Sequence, residues 1–177
     1  MIREAGLSDF AAVLALEVQV YNLHRDAHTG LIRSHMDEAI FRKYFEESVD
    51  NENGKIFIYE EDGAVLGYCV TRVRDLKDHR LFFDGIVLEL DDICVDAGAR
   101  GKRVGHSLFE RAKAYAKEIG AARLELTVWE FNKNARKFFE RQGMAPRMTR
   151  MEMNIDAVSP SARPAPDRPA EMPAANA

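Results

Sequence analysis

The chain has 177 residues, 46% hydrophobic and 31% charged, with a net charge of −4. That length suits one domain with a real core, and the composition is that of a soluble globular protein. No apolar run approaches the length of about 20 residues that spans a bilayer. The opening MIREAGLSDF lacks the basic-then-apolar order of a secretion signal, so a cytoplasmic protein is expected.

Charge is unevenly spread. Residues 1–98 hold 10 Lys and Arg against 20 Asp and Glu, whereas residues 99–150 hold 13 against 5. An anionic ligand would be steered to the second segment and a cationic one to the first. The negative total, and the lack of an exposed aromatic stacking set in the basic segment, speak against nucleic acid. Cys69 and Cys94 both sit in apolar, strand-like runs and read as reduced core residues rather than a thiol or metal site.

Ser8 is placed to cap a first helix over 9–24, with Phe10, Val13, Leu14 and Val20 on or near one face. A polar, histidine-bearing stretch follows at 25–35. Residues 37–49 predict a second helix around Ile40, Phe41, Tyr44 and Phe45. Strands are expected at 55–60 and 65–74, joined through Asp62-Gly63, a hairpin signal. Residues 80–95 read as extended, with a break at Asp84-Gly85. Leu108, Ala112, Tyr115, Ala116 and Ile119 mark a helix over 106–119 that Gly120 ends. Residues 123–129 alternate Leu124, Leu126 and Val128 against Glu125, Thr127 and Trp129, a strand. A short helix over 132–142 is closed by Gly143, and 148–155 alternate again. From Asp156 on the composition changes: the last 22 residues hold five of the six prolines and seven alanines. Such a segment buries too little surface to offset its ordering entropy, so 156–177 is expected to be a disordered tail. The expected body is one α/β domain over 1–155, with a mixed sheet of hairpin-linked strands followed by crossovers.

Between the strand that ends at Val95 and the helix that starts near His106 stands Arg100-Gly101-Lys102-Arg103-Val104-Gly105. A strand that turns sharply into a helix through glycines leaves backbone N–H groups without partners, with the positive end of the helix dipole behind them. That arrangement binds phosphate. A tight turn with solvated basic side chains is the alternative for these residues alone. The loop has neither the Gly-Lys-Ser/Thr ending of a P-loop nor the G-x-G-x-x-G of a dinucleotide fingerprint.

Three pieces in order, at matching spacing, resemble the GNAT superfamily of acetyl-CoA-dependent N-acetyltransferases. The first is 90–95 leading into that loop, which is similar to the family's R/Q-x-x-G-x-G/A pyrophosphate loop. The second is Val128-Trp129-Glu130-Phe131-Asn132. The third is Ala135, Phe138, Phe139, Glu140 and Gly143, which follow N-x-x-A-x-x-F-Y-E-x-x-G. The resemblance covers about 1–155. It implies an α+β fold: a GNAT-like mixed, mostly antiparallel sheet with splayed central strands and flanking helices. It implies acetyl-CoA as co-substrate, with the backbone of Ile93, Cys94 and Val95 pairing with the pantetheine arm and the Val95 N–H polarising the acetyl carbonyl. Arg100, Gly101, Lys102, Arg103, Val104 and Gly105 would hold the pyrophosphate, and Asn132 would reach the cofactor from the other wall. The chain departs from the pattern at three places. Arg103 replaces the first loop glycine, Phe139 stands where a tyrosine general acid is usual, and Gly143-Met144 replaces Gly-Phe.

An amine attacks a thioester only when neutral, and a lysine-like amine is mostly protonated at neutral pH. A base must therefore take its proton. Glu89, Asp91 and Asp92 stand on the strand leading to the expected acetyl site and are the catalytic candidates, with solvent-reaching strand-end charge as the alternative. Simple alternation puts Glu89 and Asp91 on one face and Asp92 with Cys94 on the other, unless a bulge resets the pleat. Tyr21, Tyr44, Tyr68 or a water would supply the acid that Phe139 cannot, unless the thiolate, a moderate leaving group, departs without one. His24 and His28 have metal-like i,i+4 spacing but no supporting motif, so no metal is expected. In the resembling family this region caps the acceptor pocket, which makes Tyr21, His24 and His28 substrate-side candidates, with solvated histidines as the alternative. Trp129 reads as a packing residue. The expected activity is acetyl transfer to a primary amine: a small amine, an antibiotic, or a protein N-terminus or lysine. A non-catalytic acyl-CoA sensor of the same fold is the alternative that Phe139 keeps open, and an enzyme for longer acyl groups is a third reading. Neither nucleic acid nor membrane is expected as a partner. The acceptor, and whether the chain pairs into a homodimer, stay open at this level.

Overall fold

Asp62 and Gly63 both take positive φ, 50° and 78°, as the central residues of a tight hairpin turn do. They fold β2 (Gly54–Glu61) back on β3 (Ala64–Asp75). From this hairpin the sheet grows both ways. β1 (Ile2–Glu4) adds antiparallel to β2; three residues long, it carries no sequence signal of its own. β4 (Ile86–Val95) pairs antiparallel with β3, and β5 (Arg123–Leu126) pairs parallel with β4. The strand order β1-β2-β3-β4-β5 is the mixed, mostly antiparallel sheet that was expected. The computed structural model describes residues 1–28 and 30–153. The expected tail at 156–177, and the end of the strand expected at 148–155, lie outside the described residues. The described part of that strand, 148–153, forms none. Met148, Met151 and Met153 are exposed, so the alternation there has no buried face behind it.

Helices α1 (Phe10–Ala27) and α2 (Glu38–Val49) cover one face of the sheet; α3 (Val104–Glu118) and the short α4 (Lys133–Arg141) lie toward the other. Ser8 does not cap α1. The cap position is Asp9, whose carboxylate makes no cap bond but accepts the Gly6 N–H at 2.8 Å and the Arg3 guanidinium at 2.8 and 2.9 Å, tying the helix start to β1. α2 starts as expected: Asp37 Oδ1 accepts the N–H groups of Ala39 and Ile40 at 3.0 and 3.2 Å. On the α3 face, Phe57, Cys69, Leu88 and Leu90 pack against Val104, Leu108, Ala112 and Phe139. On the other, Ile56, Ile58, Val70 and Cys94 pack against Phe10, Val13, Leu16 and Phe45. Each large apolar side chain so buried contributes about 1.5–3 kcal/mol. Burial pushes both cysteine thiols up to about 12, so they stay protonated, unpaired core residues. No helix among the described residues is long and apolar enough to cross a membrane.

One irregularity decides where the carboxylates go. Val70 stands opposite Asp92 but Thr71 stands opposite Leu90, so Asp91 is an extra residue in β4, a bulge. Before it, Leu88 and Leu90 face α3; after it, Ile93 and Val95 do. Opposed residues of an antiparallel pair share a face. Glu89, opposite Arg72, and Asp92, opposite Val70, therefore both face α1 and α2 with Cys94. Simple alternation, which separates Glu89 from Asp92, is corrected by this bulge. Thr71, buried at the slip, is satisfied across the hairpin: its hydroxyl donates to the Lys55 carbonyl at 2.9 Å and accepts the Lys55 N–H at 3.1 Å.

Candidate active site

β5 stays beside β4 only from Val87 to Leu90, where Leu126 is the last partner. Beyond that point Asp91 to Val95 and Thr127 to Trp129 part and line a cleft of about 950 Å³. The Asp96 N–H donates to the Leu66 carbonyl at 2.9 Å, which makes 66/96 a hydrogen-bonded pair of the ladder. The next pair, Gly67 with Val95, is then a non-hydrogen-bonded one, because the two kinds alternate. The N–H and C=O of Val95, and of Ile93 two residues earlier, point away from β3 and into the cleft. Cys94 lines the same stretch, with its thiol bonded to the Leu16 carbonyl at 3.4 Å.

The glycine loop forms one end of this cleft. Gly101 and Arg103 take φ of +81° and +67°. The left-handed region suits glycine and costs a residue such as Arg103 about 1–2 kcal/mol. This turn delivers the chain into α3 with no side-chain cap. The bond from the Ser107 N–H to the Arg103 carbonyl, 2.9 Å, opens the helix. The N–H groups of Val104, Gly105 and His106 stand ahead of it, at the positive end of the dipole. Arg100, Arg103, Lys137 and Arg141 line this end, whereas the carboxylates lining the cleft, Asp91 and Asp92, stand on β4. A Cβ on Gly105 would meet Val95 Cγ2 at 3.3 Å and Phe138 Cζ at 3.6 Å, so anything larger displaces one of them. Lys102 departs from the expectation: it is exposed, lines no part of the cleft, and its N–H goes to the Ala99 carbonyl at 3.3 Å.

Asn132 lines the opposite wall, where its Oδ1 caps α4 by accepting the Ala135 N–H at 3.1 Å. Its side-chain NH₂ is the half left for a ligand. Phe139 is buried, 5.1 Å from the Phe138 ring and 6.1 Å from that of Phe109, and forms apolar wall and core at once.

A second cleft, of about 570 Å³, lies between α1, α2 and residues 31–37. Asp92 is the residue common to both clefts. Its carboxylate accepts from the Tyr68 hydroxyl, which also lies 2.5 Å from Glu17 Oε2. The phenol has a single proton. When Tyr68 donates it to Asp92, Glu17 must be protonated and donate to the phenol oxygen. Burial first, and the Asp92 charge second, push the Glu17 carboxyl up to about 8, so it holds that proton at neutral pH. Tyr68 is raised well above its usual value, chiefly by burial. Glu17 interrupts the apolar stripe of α1 between Val13 and Val20, and that interruption is the one sequence signal that could have revealed it.

The three candidate bases therefore part company. Asp91 accepts the Tyr44 hydroxyl at 2.7 Å and pairs with Arg72 at 3.1 Å. Burial and that bond raise Tyr44, which makes it a poor acid. Glu89 pairs with Arg74 at 3.5 Å and lines neither cleft. Only Asp92 reaches the junction. The substrate-side trio separates too. Tyr21 lines the second cleft, its hydroxyl bonded to the Arg33 carbonyl at 2.7 Å. His24 lines the larger cleft instead, its ring 5.7 Å from Trp129. His28 lines neither and packs 4.8 Å from Trp129 and 5.1 Å from Phe131; Trp129, expected as a packing residue, meets both histidines and also lines the larger cleft. Among the described residues no cluster of His, Cys, Asp or Glu is placed to hold a metal.

The site is thus a mixed sheet that splays beside an uncapped helix start. The model of the acetyltransferase (GNAT) family matches residues 18–144, and the chain belongs to that family. It is 28% identical over 111 residues to an uncharacterized N-acetyltransferase of Lactobacillus delbrueckii subsp. lactis, a match spanning 58% of this chain and 63% of that one. It is 29% identical over 102 residues to an uncharacterized N-acetyltransferase of Methanocaldococcus jannaschii, over 58% of this chain and 44% of the relative. The chain thus spans less than two thirds of the length of these relatives. Among solved structures it is similar to a tetramutant of the BH1408 protein from Bacillus halodurans, with a TM-score of 0.81 and 25% identity over 88% of this chain and 99% of that one. The fold is shared with glucosamine-6-phosphate N-acetyltransferase from Arabidopsis thaliana, with a TM-score of 0.65 and 22% identity over 88% of this chain and 98% of that one.

Proposed function

We propose that the protein transfers acetyl from acetyl-CoA to a primary amine by direct attack, with Asp92 as the base. The observation that carries this reading is the place of Asp92, the one residue shared by a cleft with phosphate-binding features and a second cleft on the α1 and α2 side. The first cleft fits acetyl-CoA in two respects. The unpaired backbone edge of Ile93 and Val95 suits the amides of an extended arm, and the free N–H groups of the α3 start, with Arg100 and Arg103, suit a pyrophosphate. A crystal structure of an aminoglycoside N-acetyltransferase of this fold is a complex with CoA, at a TM-score of 0.67 and 15% identity over 87% of this chain and 98% of that one.

Acetyl-CoA supplies the activated acyl group; the chain's residues position the amine and move its proton. The Asp92 carboxylate draws an ammonium to the floor of the second cleft. Asp92 first takes a proton from the ammonium; the neutral nitrogen then bonds to the carbonyl carbon, the carbon–sulfur bond breaks, and the excess proton on the nitrogen passes to the departed thiolate. Tyr68 orients the Asp92 carboxylate, and the Val95 N–H polarises the carbonyl. Phe139 walls the thiol end and donates nothing. A thiolate is a moderate leaving group and departs without an acid. Asp92→Asn should lower turnover by about 10²–10⁴, followed as free thiol over an amine panel, with acetyl-CoA affinity kept. Unchanged turnover removes Asp92 from this role. The proton-free ring of Phe139 favours a second reading, a sensor that binds acyl-CoA without transfer. A wild type that binds acetyl-CoA and acetylates no amine supports the sensor.

A further inference from the structure

We propose that the acceptor is a monoamine carried on an apolar body, aromatic or branched-alkyl, seated in the second cleft with its nitrogen at the Glu17–Asp92 floor. The proposal rests on the acetyl-transfer reading for the chemistry and on the cleft for the selectivity. Tyr21, Leu31, Ile32, Met36, Ile40 and Phe41 make its walls. Leu31 and Ile40 remain 47% and 57% exposed there, so the mouth offers apolar surface to whatever enters. Charge is confined to two places. At the floor stands the Asp92 carboxylate, joined through Tyr68 to the protonated Glu17. At the rim stand Arg33 and Asp37, and Asp37 is occupied: its Oδ1 holds two N–H groups of the α2 start.

This distribution takes one cation and no more. A polycationic aminoglycoside needs several carboxylates spread along its length, and beyond the floor the cleft offers only Asp37, one oxygen of which caps α2. A phosphorylated amino sugar needs a cationic cradle and hydrogen-bond donors for its hydroxyls; Arg33 beside Asp37 is a poor anion site and the walls are carbon. An ammonium on an apolar stem satisfies every surface: the charge meets the floor and the stem displaces water from Ile40 and Phe41.

The test uses the full chain with saturating acetyl-CoA and three acceptors: 2-phenylethylamine, kanamycin and glucosamine 6-phosphate. The expected result is a kcat/KM for 2-phenylethylamine at least about 100-fold above the other two. Ile40→Glu, at an exposed position, should raise its KM at least about tenfold while kcat and acetyl-CoA affinity hold. Direct calorimetric binding of 2-phenylethylamine to wild type and Ile40→Glu gives a readout independent of turnover. If no amine is acetylated but 2-phenylethylamine binds and Ile40→Glu abolishes binding, the transfer reading falls and the cleft assignment stands. Preference for kanamycin or the sugar phosphate, or a KM indifferent to Ile40→Glu, overturns the proposal.

Discussion

Glu17→Gln isolates the energetics of the buried proton. In the folded chain the Glu17 carboxyl titrates at about 8, against 4.5 for the free side chain, chiefly because burial disfavours its charged form. Below pH 4.5 both folded and unfolded states hold the proton, and Glu17 adds no pH dependence. Between 4.5 and 8 the folded protein keeps a proton that the unfolded chain releases. Stability from this group is therefore full in acid and drains away as pH rises, at about 1.4 kcal/mol per pH unit. Across the window the loss is on the order of 5 kcal/mol, a large share of the roughly 5–15 kcal/mol that holds a domain together. A glutamine is neutral throughout and still offers an N–H to Tyr68. The assay is urea unfolding of wild type and variant at pH 5.5, 6.5 and 7.5, with equal m-values. The variant should gain on wild type by about 1.4 kcal/mol per unit, the titrations of groups outside the Glu17–Tyr68–Asp92 cluster cancelling in the difference. A difference that does not change with pH would mean that Glu17 is hydrated and ordinary, and the proton chain through Tyr68 would have to be abandoned.

Two further outcomes follow from the larger cleft. Acetyl-CoA should raise the melting temperature of the wild type, and Gly105→Leu should erase that shift while the circular dichroism spectrum holds, because its side chain crowds Val95 and Phe138 at the phosphate end. An undiminished shift removes the loop from cofactor binding. Phe139→Tyr should change turnover by less than about tenfold, under about 1.4 kcal/mol of barrier, in stopped-flow or steady-state thiol release. A gain of two orders of magnitude would show that the reaction lacks an acid.

Elements set by local chemistry could be read from the chain. Asp62-Gly63 announces its turn because few other pairs tolerate two positive φ values. The stripe Leu108, Ala112, Tyr115 announces α3, and the glycines of its leading loop announce the uncapped start. What depends on pairing partners could not be read. The bulge at Asp91 exists because β3 and β4 slip by one at Thr71, and nothing in 86–95 alone states it. Glu89, Asp91 and Asp92 look equivalent in one dimension. Only the positions of Arg74, Arg72, Tyr44 and Tyr68 separate two neutralised carboxylates from the one at the junction. Lys102 joined the basic cluster by adjacency, although its neighbours turn toward the cleft and it does not. His24 stands in the last turn of α1 and His28 just past its end, and the larger cleft takes in only the first.

The bulge in β4 also sets what kind of sequence change the strand tolerates. A substitution at Asp91 alters one side chain. Deleting Asp91 restores an even pleat, and because Asp92 then follows Leu90 in simple alternation, every residue after it keeps its side. Deleting Ile93 instead, with the bulge kept, would turn Cys94 toward α3 and Val95 toward α1 and α2. Residues before the slip would keep their places, since the partners of Leu88 and Leu90, Val73 and Thr71, are unaffected. The strand is thus two half-strands in one, the first a scaffold and the second a reading frame. In that second half, residue count matters more than residue identity, and single-residue insertions or deletions do there what frameshifts do in a gene.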